Sequence, residues 1–239
     1  LIGRLQAAMA AAGLARGQTV AFLSANNAET WCAGVAAGGL GLVSTWLHPL
    51  GALGDQLDVI EDAGVSALIV DPRTHAQRGG ELAAGAADRL DVVLTMGKAD
   101  FGRDLMAAAE RIGEASPVDL ATPDDYAVIN YTGGTTGKSK GAIRRHRSTA
   151  AMTTAVAADF EFPETPRYLA AAPITHVAGT KVVPALLKGG TIHLLKGFDP
   201  ERFLATLERE KINFTLLVPT MIYVLLDHPK LDKTDLSSL

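Results

Sequence analysis

The chain has 239 residues, 48% of them hydrophobic, and 26 acidic against 22 basic side chains leave a formal net charge of −4. That length is ample for a sizeable core and fits one large domain or two small ones. The acidic balance argues against general nucleic-acid binding. The single cysteine, Cys32, excludes an internal disulfide framework and fits a reducing compartment. Its apolar, helix-like surroundings read as a core thiol rather than a nucleophile. No apolar run approaches the ~20 residues of a transmembrane helix, no signal peptide is visible, and a cytoplasmic protein is the expectation. The first residue is Leu1 rather than Met, so the chain reads as a piece of a longer protein.

In chain order, residues 2–14 have the apolar spacing of an amphipathic helix. Residues 19–23 form a short strand, and Asn26 or Asn27 can cap a long Ala/Gly-rich helix from Ala28 to about Leu40. Strand-like 42–46 and a helix over 53–63 follow. Residues 67–71 read as a strand without alternation, hence buried on both faces. A helix from about 77 to 90, a strand over 91–95, a helix over 101–112 and a polar connection over 113–124 complete the first part. Helices are expected at 148–158, 182–188, 200 onward and 219–226, and strands at 126–130, 167–171, 191–195 and 214–218. Asp199 is the expected cap of the helix that Pro200 opens. The last five residues read as the first turn of another helix. Strands alternating with helices at this spacing give an α/β fold with parallel or mixed sheets. The expected division is a first α/β part over 1–123 and a second over 124–239. No repeat of 20–50 residues is apparent.

The chemistry concentrates in Tyr131-Thr132-Gly133-Gly134-Thr135-Thr136-Gly137-Lys138-Ser139-Lys140-Gly141. Glycines let main-chain N–H groups approach a ligand closely, and several turned inward make a concave anion site. Hydroxyls add donors, and lysines add charge that phosphate oxygens accept. With the buried-looking strand 126–130 before it, the stretch reads as a loop that grips nucleotide phosphates rather than a linker. The P-loop pattern G-x-x-x-x-G-K-[ST] fits only its second half. Thr132 stands where the first glycine belongs, and the exit at Ala142-Ile143 is strand-like where a P-loop opens into a helix.

The stretch resembles the signature loop of the adenylate-forming superfamily, which includes acyl- and aryl-CoA synthetases, luciferases and peptide-synthetase adenylation domains. Its pattern Y-T-[SGT]-G-T-T-G-x-[PS]-K-G is met throughout. Gly133 stands where Ser or Thr is commoner, and Ser139 where Pro is commoner. Downstream, Pro173-x-x-His176-x-x-Gly179, Gly189-Gly190, Val218-Pro219-Thr220 and Asp235 to Leu239 follow the acyl-CoA synthetase order. The resemblance implies the large N-terminal domain of such enzymes, here truncated. Their adenine-binding segment, ribose-binding aspartate and C-terminal domain with its lysine are not in these 239 residues.

That resemblance implies ATP-dependent activation of a fatty or aromatic carboxylic acid to an acyl-adenylate, then thioester formation with coenzyme A. ATP, Mg²⁺ and coenzyme A are the implied small molecules. No nucleic-acid partner or membrane span is expected, and a homodimer is compatible. The main chain from Gly133 to Gly137 would cradle the β- and γ-phosphates, and Thr132, Thr135 and Thr136 would donate hydroxyl hydrogen bonds. Thr135 also matches the position associated with Mg²⁺. Lys140 matches the signature-loop lysine and would balance the leaving pyrophosphate. Lys138 and Ser139 complete the phosphate-binding set. His176 and Gly179 match the adenylate and acyl pocket, which Thr180 and Lys181 would border. The bland readings stand beside these: His176 as a structural residue, Arg144 and Arg147 as solvated. His48, His75, His193 and His228 have no metal-ligand spacing. Two alternatives remain: an adenylating enzyme that loads a carrier protein, and a nucleotide-binding fragment without turnover.

Overall fold

A computed structural model describes residues 1–132 and 139–239. The chain divides into two compact units, Leu1–Thr149 and Ala150–Leu239.

In the first unit, α1 (Ile2–Ala11), β1 (Thr19–Leu23), α2 (Ala28–Gly39), β2 (Val43–Trp46), α3 (Leu53–Asp62), β3 (Val65–Val70), α4 (Pro72–Gly85), β4 (Val92–Thr95), β5 (Arg103–Asp104), α5 (Leu105–Arg111), β6 (Tyr126–Thr132) and β7 (Lys140–Arg145) follow in order. Among the described residues they build a seven-stranded sheet in the order β5-β4-β3-β1-β2-β6-β7. Every pairing is parallel except β6 with β7. Alternate residues of β1 enter opposite cores. Val20 and Phe22 pack with α1, α2 and α5, whereas Ala21 and Leu23 pack with α3 and α4. This is the period-2 signature of a strand covered on both faces.

Side-chain caps set the starts of α2 and α4. Asn27 Oδ1 accepts from the N–H groups of Glu29 and Thr30 at 2.8 and 3.2 Å. Asp71 accepts from Arg73 N at 3.0 Å, and Pro72 occupies the first turn of α4, a position that lacks an intrahelical N–H partner in any case. The cap and Pro72 open a first turn, the backbone leaves helical geometry at His75 (φ −136°, ψ 34°), and the regular helix then runs from close to the expected 77. Asn27 Nδ2 also donates to Asp71 Oδ2 at 2.6 Å. The two caps thus meet where β1 and β3 end and the strand order reverses. Cys32 is partly buried against the first core, and burial pushes its thiol pKa up, as expected for a packing residue.

Strand β6 departs from expectation. It is half-buried rather than buried, because it lies one strand from the sheet edge and its antiparallel partner β7 is mostly exposed. The expected helix over 101–112 shortens to α5, because Arg103 and Asp104 first pair with Leu94 and Thr95 of β4.

Ahead of β6 the connection is clamped to the segment that joins α1 to β1. Arg16 Nε and Nη2 donate to the Asp125 carboxylate at 2.9 and 2.8 Å, and Thr122 N donates to it at 2.8 Å.

Helix α6 (His146–Asp159) links the units. The second unit holds β8 (Arg167–Ala170), α7 (Val182–Leu187), β9 (Thr191–Leu194), α8 (Pro200–Arg209), β10 (Phe214–Thr215) and α9 (Pro219–Leu226). Its sheet is parallel, in the order β10-β8-β9. Asp199 caps α8 by accepting from Arg202 N at 2.9 Å, and Phe203, Leu204 and Leu207 are buried, as their spacing predicts. The final residues form a turn closed by Leu239 N donating to Leu236 O at 3.0 Å rather than a helical start. No helix among the described residues is long and apolar enough to cross a membrane.

The Arg16 guanidinium holds the Asp125 carboxyl well below the usual carboxylate range. Folding lowers this pKa, so the pair contributes stability above the unfolded value of about 3.9. That contribution disappears as pH falls through the lower folded value. Arg16→Met should lower the melting temperature near neutral pH, and by progressively less as pH falls below about 4. Thermal melts of both proteins across that range check this.

Candidate active site

The described ends of the signature stretch belong to two antiparallel strands. Strands β6 and β7 pair Ile129 with Ile143, Asn130 with Ala142, Tyr131 with Gly141 and Thr132 with Lys140. The Thr132–Lys140 pair therefore brackets residues 133–139. Of the expected phosphate-binding residues, Thr132, Ser139 and Lys140 are described, and all three are exposed. Gly133, Gly134, Thr135, Thr136, Gly137 and Lys138 lie outside the described residues. A strand leaving the loop antiparallel to the one entering it excludes the strand–loop–helix of a P-loop.

The pleat sorts the stem's side chains. Ile129 and Tyr131 share one face with Gly141, where a Cβ would come within 2.9 Å of Ile129 Cγ2 and 3.0 Å of Tyr131 Cζ. Thr132 and Lys140 fall on the opposite face together with Asn130 and Arg144. With the Asn130 amide turned so that its oxygen faces the guanidinium, it accepts from Arg144 Nε and Nη2 at 3.3 and 2.7 Å. Arg144 is thus held along the strand rather than merely solvated, and it adds a second cation to the lysine's face.

On the other face, the Tyr131 ring packs against the core beside α3, and its hydroxyl donates to Asp62 Oδ2 at 2.5 Å. Burial, and then the bond to Asp62, push the tyrosine pKa up. A cleft of about 300 Å³ opens there, lined by Asp55, Asp58, Val59, Asp62, Tyr131 and Ser139 among others. Tyr131 was expected only as the first residue of the signature stretch, and Asp62 was not expected to contribute. One signal for Asp62 was available: an acid in the last turn of a helix opposes the helix dipole.

In the second unit, His176 begins a short 3-10 turn, Val177–Lys181. Its Nδ1 is 2.7 Å from Thr175 Oγ1, and Gly179 N donates to His176 O at 3.0 Å. A Cβ at Gly179 would overlap the carbonyl oxygen of Ile174, so glycine is required here by close backbone approach. The buried Tyr168 of β8 donates its hydroxyl to Ala178 O at 3.0 Å and pins the turn. Lys181 is buried with its ammonium 3.5 Å from the Phe160 ring centre, a cation–π contact. Burial lowers its pKa. His176 itself is exposed.

Thr135, the residue expected beside Mg²⁺, lies outside the described residues. Among the described residues no group of three or more His, Cys, Asp or Glu is placed to hold a metal ion.

The family model for AMP-binding enzymes matches residues 1–239. The chain belongs to the AMP-binding enzyme family. A medium/long-chain-fatty-acid–CoA ligase, FadD8 of Mycobacterium tuberculosis, is 38% identical over 97% of this chain and 42% of its own length. A feruloyl-CoA synthase from an Amycolatopsis species is 33% identical over all of this chain and 46% of its own. The chain thus spans about half the length of the curated relatives it matches. The structure of the amide bond synthetase McbA from Marinactinospora thermotolerans superposes with a TM-score of 0.87 and 29% identity, over all of this chain and 46% of that one. These findings bear out the expected family and α/β fold class.

Gly179→Ala should destabilise the second unit by about 1–3 kcal/mol through overpacking. Urea unfolding monitored at the second unit measures it.

Proposed function

We propose that this chain carries the phosphate-gripping and acid-binding parts of an ATP-dependent carboxylate–CoA ligase acting on fatty or aromatic acids. The observation that carries the reading is the hairpin that closes the signature stretch with Thr132 opposite Lys140. The names of the relatives, ligases for a fatty and an aromatic acid, support the substrate range.

A carboxylate oxygen attacks the α-phosphorus of ATP, and the bond to the bridging oxygen breaks to release pyrophosphate. A thiol sulfur then attacks the acyl carbon, and the acyl–phosphate bond breaks to release AMP. The first step asks for positioning and charge neutralisation, because the substrate is its own nucleophile. Main-chain N–H groups of Gly133 to Gly137 and the hydroxyls of Thr132, Thr135 and Thr136 orient the phosphates, and Lys138 and Ser139 border them. Lys140 offsets the charge that develops on pyrophosphate as it leaves. His176 and Gly179 form a wall for the adenylate and the acid, with Gly179 keeping the turn tight. Mg²⁺ supplies charge neutralisation on the phosphate oxygens when bound, and Thr135 is the residue of this chain assigned to it. Coenzyme A is the acyl acceptor.

A second reading keeps adenylation and changes the acceptor. The 29%-identical structural neighbour is an amide bond synthetase, so an amine in place of the thiol of coenzyme A is the specific alternative.

Pyrophosphate release by the full-length enzyme with a panel of acids tests adenylation. Thioester against amide product, with coenzyme A and amines offered together, tests the acceptor. Lys140→Ala should lower kcat/KM for ATP by about 100-fold. A variant with unchanged adenylation removes Lys140 from the site. Residues 1–239 alone should show weak or no turnover, and robust turnover by them contradicts the reading.

A further inference from the structure

We propose that the Tyr131–Asp62 hydrogen bond is a positioning device for the nucleotide-phosphate loop. The inference rests on the phosphate-loop reading above and assigns a function to two residues that touch no phosphate.

Pairing of β6 with β2 covers only Val128 and Ile129, opposite Ser44 and Thr45. Beyond Ile129 the stem continues as a two-stranded ribbon, and such a ribbon has little stability of its own. Tyr131 ties this free part to the body of the unit. It stands one residue before Thr132 and pairs with Gly141, one residue after Lys140. A single tether at this position therefore acts on both ends of the loop.

The bond is a built arrangement. Gly141 has no Cβ, and one placed there would come within 3.1 Å of the tyrosine oxygen and 3.0 Å of Cζ. The missing side chain on β7 thus leaves the room in which the ring crosses to α3. The hydroxyl then meets Asp62 Oδ2 at 2.5 Å. Asp62 is the last residue of α3, and no basic residue stands in that turn. A carboxylate at this end opposes the helix dipole, so helix physics alone gives no reason for it, whereas the bond to Tyr131 does. Local rules tend to be broken in this way where function imposes the residue.

The consequence follows from the pleat. Successive residues of a strand point to opposite faces. Holding Tyr131 down on the α3 side fixes the direction in which Thr132 and its partner Lys140 leave the other side. Loss of the tether leaves the donors present but loosely aimed, a loss in phosphate affinity rather than in folding.

The experiment uses the full-length enzyme with Tyr131→Phe, Asp62→Leu, the double variant and Asp62→Asn. Mg-ATP affinity by calorimetry, KM for ATP and for the acid, and melting temperature are measured for each. Tyr131→Phe and Asp62→Leu should each weaken ATP binding and raise KM for ATP by about 10-fold. KM for the acid and the melting temperature should stay near wild type. The double variant should be no worse than either single, the mark of a shared interaction. Asp62→Asn, whose amide oxygen still accepts from the tyrosine, should recover most of the loss. Wild-type ATP affinity in Tyr131→Phe overturns the proposal, as do additive losses in the double variant or a fall in melting temperature with ATP affinity intact. A wild-type enzyme that binds ATP but releases no pyrophosphate with any acid overturns carboxylate adenylation alone, and the ATP affinities of the variants still decide the tether. A wild-type enzyme that does not bind ATP overturns both.

Discussion

The first unit depends on a short seam in its sheet, where Val128 and Ile129 of β6 lie parallel to Ser44 and Thr45 of β2. On one side of it stands a parallel sheet wound with helices on both faces. On the other the chain reverses and makes the antiparallel hairpin that holds the phosphate-loop stretch. The reversal matters chemically. In a P-loop, the helix following the loop contributes its N-terminal dipole to the phosphates. A hairpin supplies no such dipole, so under the proposed function the charge would come from side chains. Lys140 and Arg144 on one face of the stem fit that requirement.

The polar groups at the far end of β1 and β3 illustrate a different economy. In wound α/β sheets the point where strand order reverses is a favoured ligand position. Here it is filled from within. Asn27 and Asp71 cap their own helices and bind each other, and Arg73 Nε closes on Asp71 Oδ1 at 2.9 Å. The buried Asp71 has its acceptors satisfied by the protein, which leaves the crevice structural. Under the proposed function, holding the nucleotide would fall to the hairpin of β6 and β7 instead.

Much of this was legible beforehand. Helices α2, α8 and α9 and strands β1, β3, β4, β8 and β9 fall close to where caps, apolar runs and prolines place them, because those signals are local. Asp199 before Pro200 is the clearest case. What stayed hidden depends on partners distant in sequence. The half-burial of β6 follows from its rank in the sheet, which no run of Tyr126 to Asn130 can encode. The short strand at Arg103-Asp104 exists only because β4 offers its edge. In the site, the signature stretch announced itself through glycines, hydroxyls and lysines. Asp62, 69 residues before its partner Tyr131, carried no such mark except its awkward place on a helix end. Gly179 was read as part of the adenylate and acyl pocket. The structure adds a stricter reason, the carbonyl of Ile174 against its α-carbon.

Among the described residues β7 is the outermost strand of its sheet, which has a consequence for this chain as a colloid. An outermost strand exposes unpaired N–H and C=O groups, a template on which other chains can stack into aggregates. The defence available to natural sheets is charge along that strand, and Lys140-Gly141-Ala142-Ile143-Arg144-Arg145 carries three cations in six residues. Mutual repulsion between two such strands discourages their pairing. Removing these cations would therefore also strip the sheet of its protection against self-association.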